Sequence, residues 1–343
     1  MADVRESALI DSSIAVVGAY GLVGREALSI LHARGVPAQR VRALGSSRSA
    51  GTTIPFGPGS LTIEELRAGS LGGCDVALFC SDAQTAKAHA PAAIREGVRI
   101  VDNSSAFRLD DGTPLVVPEI NSHLLDEGPM LVANPNCSTI IMLMAVEPLR
   151  RVFGVRSVIA STYQAVSGAG RAALEELFNQ TRAVLDGHAP EPSAFPVPCA
   201  FNVFPHESAV DPSTGLNVEE SKVIAESRKI LDMPDLEILP TCVRVPVERC
   251  HSQSITIELG SPATLGALAE IYGAFPGVAY NGDPTALMTP RDIAGTDLVS
   301  ISRPRLARDG RRISIWVCGD QLRKGAALNA VQVAERLVRR DVA

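Results

Sequence analysis

Two joined α/β parts are what the sequence predicts, on three observations. Short apolar runs alternate with helix-forming stretches over roughly the first third of the chain; a glycine-rich turn links the first run to the first helix; and later strands lengthen and alternate apolar with polar residues. Strands alternating with helices make a parallel sheet covered on both faces, whereas long alternating strands suit a mixed sheet with helices on one face. At 343 residues the chain is long enough for two full cores.

In chain order, strands are expected at 14–17, 41–44, 76–79 and 98–101, with helices at 23–34 and 84–96 between them. From about residue 130 the longer strands fall at 158–163, 237–247, 254–259 and 313–317, with helices at 171–185, 219–231 and 265–274. The Pro-rich stretch 187–198 is a loop. The last segment, 325–340, carries Leu328, Val331, Ala334, Leu337 and Val338 at helical steps and returns to cover the first part. The expected domains are therefore 1–130, completed by 325–343, and 131–324.

Composition narrows the function. Lys and Arg number 32 against 38 Asp and Glu, a net charge of −6, and this acidity argues against a nucleic-acid or anionic-membrane partner. The longest apolar run, 140–146, is far too short to span a bilayer. Residues 1–12, with Asp3, Arg5, Glu6 and Asp11, read as a short solvated tail. Seven scattered cysteines fit neither a disulfide framework nor a metal site, so a cytoplasmic location is expected.

Gly18, Gly21 and Gly24 follow the first strand and open a helix. Glycines there let the backbone approach a pyrophosphate, which the helix N-terminus favours, so a Rossmann-type dinucleotide-binding domain is expected, with a plain tight turn as the alternative. An NAD site places Asp or Glu near the end of the second strand, yet residues 27–63 contain no acid. Gly45-Ser46-Ser47-Arg48-Ser49-Ala50-Gly51 stands there instead, and an arginine fork flanked by hydroxyls suits the 2′-phosphate of NADP.

Asn134-Pro135-Asn136-Cys137-Ser138-Thr139 leads into the apolar run, and Asn136 or Ser138 suits a helix cap. A cysteine at a helix N-terminus is a candidate nucleophile, though a small buried hydrophobe is the alternative. Cys74, Cys80, Cys199, Cys242 and Cys318 sit in or beside apolar segments and read as inert. Of six histidines, His32, His89, His123, His188 and His206 read as solvated or structural, while His251 ends the 237–247 strand region and is a candidate base. On that strand Thr241, Val243, Val245 and Val247 share one face and Arg244 points to the other, as a carboxylate clamp or a surface ion pair.

At these residues the sequence resembles the aspartate-semialdehyde dehydrogenase family nearly end to end. The motifs, in order, are Gly-Ala-Tyr-Gly-Leu-Val-Gly, Ser-Ser-Arg-Ser-Ala-Gly, Asn-Pro-Asn-Cys-Ser-Thr, Tyr-Gln-Ala-Val-Ser-Gly-Ala-Gly, Glu-Glu-Ser-Lys, Arg-Val-Pro-Val-Glu-Arg-Cys-His-Ser and Gly-Asp-Gln-Leu-Arg-Lys-Gly-Ala-Ala. The resemblance implies a catalytic and dimerisation domain of the glyceraldehyde-3-phosphate-dehydrogenase-like α+β kind and a homodimer or dimer of dimers. It also implies NADPH-dependent reductive dephosphorylation of L-aspartyl-4-phosphate, a step in making lysine, threonine, methionine and diaminopimelate.

By position, the resemblance makes Cys137 the nucleophile, His251 the acid–base residue and Gln164 a substrate-orienting residue. Arg244 and Glu219 would hold the α-carboxylate and α-ammonium, Arg108 and Lys222 the phosphate, and Asn136 would lie on the substrate. Gly18, Tyr20, Gly21, Leu22, Val23, Gly24, Ser46, Arg48, Ser49, Ser167, Gly168 and Gln321 would contact the cofactor. Two residues depart from the family pattern: Tyr20 replaces a smaller residue and Cys250 one that is commonly Gly. The alternatives are reduction of another acyl phosphate such as N-acetylglutamyl phosphate, or a non-catalytic paralogue. Glu219 discriminates the first, because an acetylated nitrogen needs no facing carboxylate, and retention of Cys137, Gln164, Arg244 and His251 argues against the second.

Overall fold

The computed structural model describes residues 7–338; residues 1–6 of the expected tail and 339–340 of the expected last helix lie outside the described residues. The chain divides into two compact units, one running up to Asn136 and resuming at Ala326, the other spanning Cys137–Gly325.

The first unit contains β1 (Ile14–Val17), α1 (Leu22–Ala33), β2 (Val41–Gly45), the hairpin β3 (Thr53–Phe56) and β4 (Gly59–Thr62), β5 (Glu64–Glu65), β6 (Val76–Phe79), α2 (Ala83–Arg95), β7 (Arg99–Asp102), α3 (Pro118–Asn121) and β8 (Leu131–Ala133). Six of the strands form one parallel sheet in the order β5-β2-β1-β6-β7-β8. β1 is buried at every position because both faces are covered: Ile14 and Val16 join a core with Leu28, Leu31, Val331 and Leu337, while Ala15 and Val17 join one with Ala86 and Ala90. The chain passes from β1 outward to β2 and then back across to β6, so the strand order reverses beside β1. A crevice at the carboxyl ends of the strands is expected at such a reversal.

The helix Leu328–Val338 lies in this unit with its apolar stripe buried, and it starts later than expected because a turn of π-helix, Arg323–Ala327, precedes it. Residues 7–12 are not a solvated tail. Leu9 is fully buried in the core, and Ser7 Oγ donates to Glu335 Oε1 at 2.7 Å, the same carboxylate that pairs with Arg34.

The second unit contains α4 (Cys137–Phe153), β9 (Val155–Gln164), α5 (Arg171–Leu185), β10 (Phe204–Pro205), α6 (Val218–Leu231), β11 (Glu237–Arg244), β12 (His251–Leu259), α7 (Leu265–Ala274), β13 (Val278–Asn281), α8 (Pro290–Ile293), β14 (Val299–Leu306) and β15 (Arg312–Gly319). Seven strands form a mixed sheet in the order β10-β11-β9-β12-β15-β14-β13. The strand expected over 237–247 stops at Arg244, and His251 opens the next strand instead of ending that one. Pro246 has no N–H to continue the ladder, and Val247 N–H turns back to the Val245 carbonyl at 2.8 Å.

One sheet face is covered and the other open. Ile238, Pro240, Cys242 and Arg244 are buried, whereas Leu239 and its partner across the ladder, Ile159, are 56% and 51% exposed. No helix among the described residues is long and apolar enough to cross a membrane.

Candidate active site

Three strand ends meet in the second unit. Parallel β9 and β11 run in a register that sets Gln164 beside Arg244, and antiparallel β12 pairs Ser252 with Tyr163, so His251 begins where the other two finish. All three side chains are nearly excluded from solvent, at 1%, 2% and 1% exposure for Gln164, Arg244 and His251. Such burial demands partners for their polar atoms, and those partners define the site.

The peptide of Ala165 serves two of them. Its N–H donates to His251 Nδ1 at 3.0 Å, and its carbonyl accepts from Arg244 Nη1 at 2.9 Å. Because Nδ1 accepts, the proton of the neutral ring sits on Nε2, which is buried with no hydrogen-bond partner among the described residues. Burial, then the charge of Arg244, pushes the imidazole down to about 3, so it is neutral at physiological pH. A Cβ on Gly168 would lie 3.2 Å from Nε2, so glycine there keeps open the space this N–H faces.

Cys137 is the first residue of α4 and half-buried. Next to it Ser138 Oγ accepts from Gln164 Nε2 at 2.7 Å, and the Ser138 carbonyl accepts from Gln253 Nε2 at 2.9 Å, which pins this helix end to the sheet. The other thiols differ: burial pushes Cys80 and Cys242 up to about 12 and Cys199 to about 11. A Cβ on Gly325 would fall 2.9 Å from that of Cys137, so the π-turn passes against the cysteine only because residue 325 is glycine.

α6 brings acidic groups to the same region. Asn217 and Glu220 cap it reciprocally, and Glu220 Oε1 also accepts from Cys242 N–H at 3.0 Å, fastening the helix start to β11. Glu219 then reaches Gln164 Nε2 at 3.4 Å and Lys222 Nζ at 3.5 Å. Gln321 accepts from Cys250 N–H at 2.7 Å and donates to Ser167 Oγ at 2.7 Å, and Ser167 in turn donates to the Glu248 carbonyl. These two side chains fix the segment before His251. Cys250 within it has φ +74°, a left-handed conformation that disfavours a side chain and favours glycine.

In the first unit a cavity of about 760 Å³ lies along the glycine turn, lined by Gly18, Tyr20, Gly21, Ser46, Arg48 and Ser49 among others. Gly18 has φ +81°, and a Cβ on Gly24 would come 2.3 Å from the Gly18 carbonyl oxygen, so the turn closes only without side chains there. Leu22 and Val23 begin α1, with Gly21 as its cap residue. Arg48 is exposed at the cavity, and the Tyr20 ring turns out against Arg25, whose guanidinium carbon is 4.9 Å from its centroid. Narrow backbone at a helix start, hydroxyls and a guanidinium together fit a dinucleotide phosphate. Arg108, also in this unit, is buried and donates to the Asn103 carbonyl at 2.7 Å; Asn136 is buried directly before Cys137. Among the described residues no His, Cys, Asp and Glu cluster could hold a metal ion.

Two residues bonded to or facing Arg244 escape a sequence reading. Glu207 accepts from Arg244 Nη2 at 2.7 Å and Nε at 3.2 Å, and His206, expected to be solvated or structural, faces Nη2 at 3.0 Å. Both follow the two-residue strand β10, whose Phe204 pairs with Arg244 in the ladder. A strand that short has no periodicity to read.

Comparison with known proteins agrees with this architecture. The family model "Semialdehyde dehydrogenase, NAD binding domain" matches residues 13–128, and "Semialdehyde dehydrogenase, dimerisation domain" matches 146–324. Aspartate-semialdehyde dehydrogenase of Bacillus subtilis is 42% identical over 335 residues, covering 94% of this chain and 96% of the relative. That of Synechocystis is 40% identical over 330 residues, covering 95% and 97%. The crystal structure of aspartate semialdehyde dehydrogenase II from Vibrio cholerae, complexed with ASA, superposes with a TM-score of 0.92 at 35% identity, over 96% of this chain and 98% of that one. Matched along both units by relatives of one kind, the chain belongs to the aspartate-semialdehyde dehydrogenase family.

Proposed function

We propose that this chain reduces L-aspartyl-4-phosphate to L-aspartate 4-semialdehyde with NADPH, carrying the acyl group as a thioester on Cys137. The observation that supports it most is the meeting of Gln164, Arg244 and His251 at three strand ends, with Gln164 bonded to the first turn of the helix that Cys137 begins.

Each residue has a task. Arg244 clamps the substrate α-carboxylate, Glu219 faces its α-ammonium, and Lys222, together with Arg108 on the family resemblance, neutralises the phosphate. The helix N-terminus favours the thiolate of Cys137, which attacks the acyl carbon; the C–O bond to phosphate then breaks, leaving the thioester. Gln164 and Asn136 orient the acyl group. NADPH, when bound, would supply the hydride that takes the thioester to the aldehyde level, the C–S bond breaking so that Cys137 leaves as thiolate; a thioester accepts hydride more readily than an ester. His251, the acid–base residue, presents its Nε2–H to the oxygen on which negative charge develops. Gly18 to Gly24 would hold the cofactor phosphates and Ser46, Arg48 and Ser49 the 2′-phosphate, and on the family resemblance Ser167, Gly168 and Gln321 would also contact the cofactor.

The open sheet face, where Leu239 and Ile159 adjoin, is the surface we assign to a second copy in a homodimer, in keeping with a unit matched by a dimerisation-domain family model. Seven free cysteines support a reducing cytoplasm as its location.

The test of the reaction is phosphate-dependent reduction of NADP with L-aspartate semialdehyde, beside N-acetylglutamate semialdehyde. Turnover of the first alone is expected; turnover of the second alone would replace the assignment. Arg48→Ala is expected to raise KM for NADP about tenfold while moving that for NAD less than about twofold, since only NADP presents a 2′-phosphate. Equal effects on both would remove Arg48 from that role. Gly325→Ala is expected to lower kcat roughly ten- to a hundredfold by pressing on Cys137, and an unchanged kcat would show that the π-turn absorbs the methyl group.

A further inference from the structure

The guanidinium of Arg244 is closely surrounded without any ligand. Of the five N–H donors an arginine carries, Nε and one Nη2–H are on Glu207 and one Nη1–H is on the Ala165 carbonyl, while the His206 ring nitrogen Nε2 stands 3.0 Å from Nη2 and covers that side. The Phe195 ring stands 5.4 Å from the guanidinium carbon and covers one face, and the side chain is 3% exposed. A carboxylate binds an arginine best through two parallel in-plane bonds, and no edge of Arg244 is open to both oxygens, since Glu207, His206 and the Ala165 carbonyl stand around it. A ligand carboxylate must therefore displace a resident neighbour.

Only one of these three neighbours is free to leave. The Ala165 peptide is fixed at its other end on His251, and His206 is held by its own N–H on the Cys242 carbonyl at 2.8 Å and by its ring on Ser208 at 3.1 Å. Glu207 sits partly exposed, and apart from Arg244 its carboxylate meets its own backbone N–H and, at 3.8 Å, the His206 ring, so no other residue's hydrogen bond has to break for it to move. Burial works against its charged form, but the hydrogen bond and charge of Arg244 outweigh burial and hold its carboxyl below the usual range, so it remains an anion at neutral pH.

Resting on the assignment of Arg244 as the carboxylate clamp, we propose that Glu207 is a specificity-determining residue: it occupies the Arg244 fork in the free protein and yields it to ligands that pair a carboxylate with a neighbouring ammonium. The displaced carboxylate keeps its charge and needs a cation. Glu219 and Glu207 act on the charge of the His206 imidazole against Arg244 and Lys222, so two anions already face two cations there. An incoming carboxylate without an ammonium adds a negative charge that no further cation balances and leaves Glu207 unpaired. An α-amino carboxylate brings the compensating charge with it. The fork thus selects amino-acid ligands over their des-amino analogues by making the latter compete with a resident anion.

The test compares L-aspartate semialdehyde with succinate semialdehyde, its des-amino analogue, on wild type and Glu207→Gln, with thermal melting of each protein. The variant is expected to melt lower when free, because a buried guanidinium loses its counter-ion, yet to show a KM for succinate semialdehyde lowered about tenfold and a smaller change for L-aspartate semialdehyde. A role in propping up Arg244 would raise both constants together, and that result, or an unchanged ratio, would overturn the proposal. If Glu207→Gln does not fold, Glu207→Asp, which keeps the charge but shortens the reach, is expected to shrink the same ratio; an unchanged ratio again overturns it. Absence of wild-type turnover with either aldehyde would refute the reaction instead. The Glu207 proposal would then be decided by succinate alone, which must raise the melting temperature more in Glu207→Gln than in wild type; equal rises overturn it.

Discussion

Cys137→Ser is expected to lower turnover by about ten-thousandfold or more while leaving NADPH affinity unchanged. A serine hydroxyl keeps the shape of the side chain but is not ionised near neutral pH, and a thiol is much closer to ionisation there. No neighbour can take over: Cys242, Cys250 and Cys318 are fully buried, and burial raises all three thiols. Affinity for the cofactor should persist because the glycine turn and the Ser46–Ser49 loop do not involve residue 137. Activity is read from phosphate-dependent NADP reduction and affinity from NADPH fluorescence. Residual turnover above a few per cent would remove Cys137 from the nucleophile's role.

Arg244→Lys keeps the charge and should nonetheless raise KM for L-aspartate semialdehyde about a hundredfold. Lysine has no planar fork, so it cannot span both oxygens of a carboxylate, and a single ammonium cannot meet Glu207, His206 and the Ala165 carbonyl at once. The Ala165 peptide also holds His251, so losing its carbonyl bond should lower kcat as well, though less than KM rises. An unchanged KM would return Arg244 to a purely structural ion pair.

What the sequence revealed, and what it hid, follows from the range of the interactions. β1 and β6 were legible because strands covered on both faces are bare apolar runs. The glycine turn was legible because its geometry tolerates no side chain at Gly18 or Gly24. The end of β11 was not, since Val245 and Val247 continue the apolar pattern past the point where Pro246 breaks the ladder. The first residues misled for the opposite reason: charges around Leu9 suggested solvent, while Leu9 itself packs into the core beside Leu31. Within the site, Cys137, Gln164, Arg244 and His251 could be named from motifs, but the atom joining two of them, the backbone of Ala165, carries no side-chain signature. Glu207 stayed hidden because it meets Arg244 through a two-residue strand, and Gly325 because its need for glycine lies in how closely it passes Cys137.

Everything proposed for the reaction requires an acyl group to reside on one sulfur. Peptide mass spectrometry of the enzyme, quenched with acid after mixing with L-aspartate semialdehyde and NADP in the absence of phosphate, addresses this directly. The expected result is an aspartyl thioester on the peptide containing Cys137, absent from Cys137→Ser and discharged when phosphate is added. An aspartyl adduct on any other cysteine, or turnover with no adduct on Cys137 under these conditions, would contradict it.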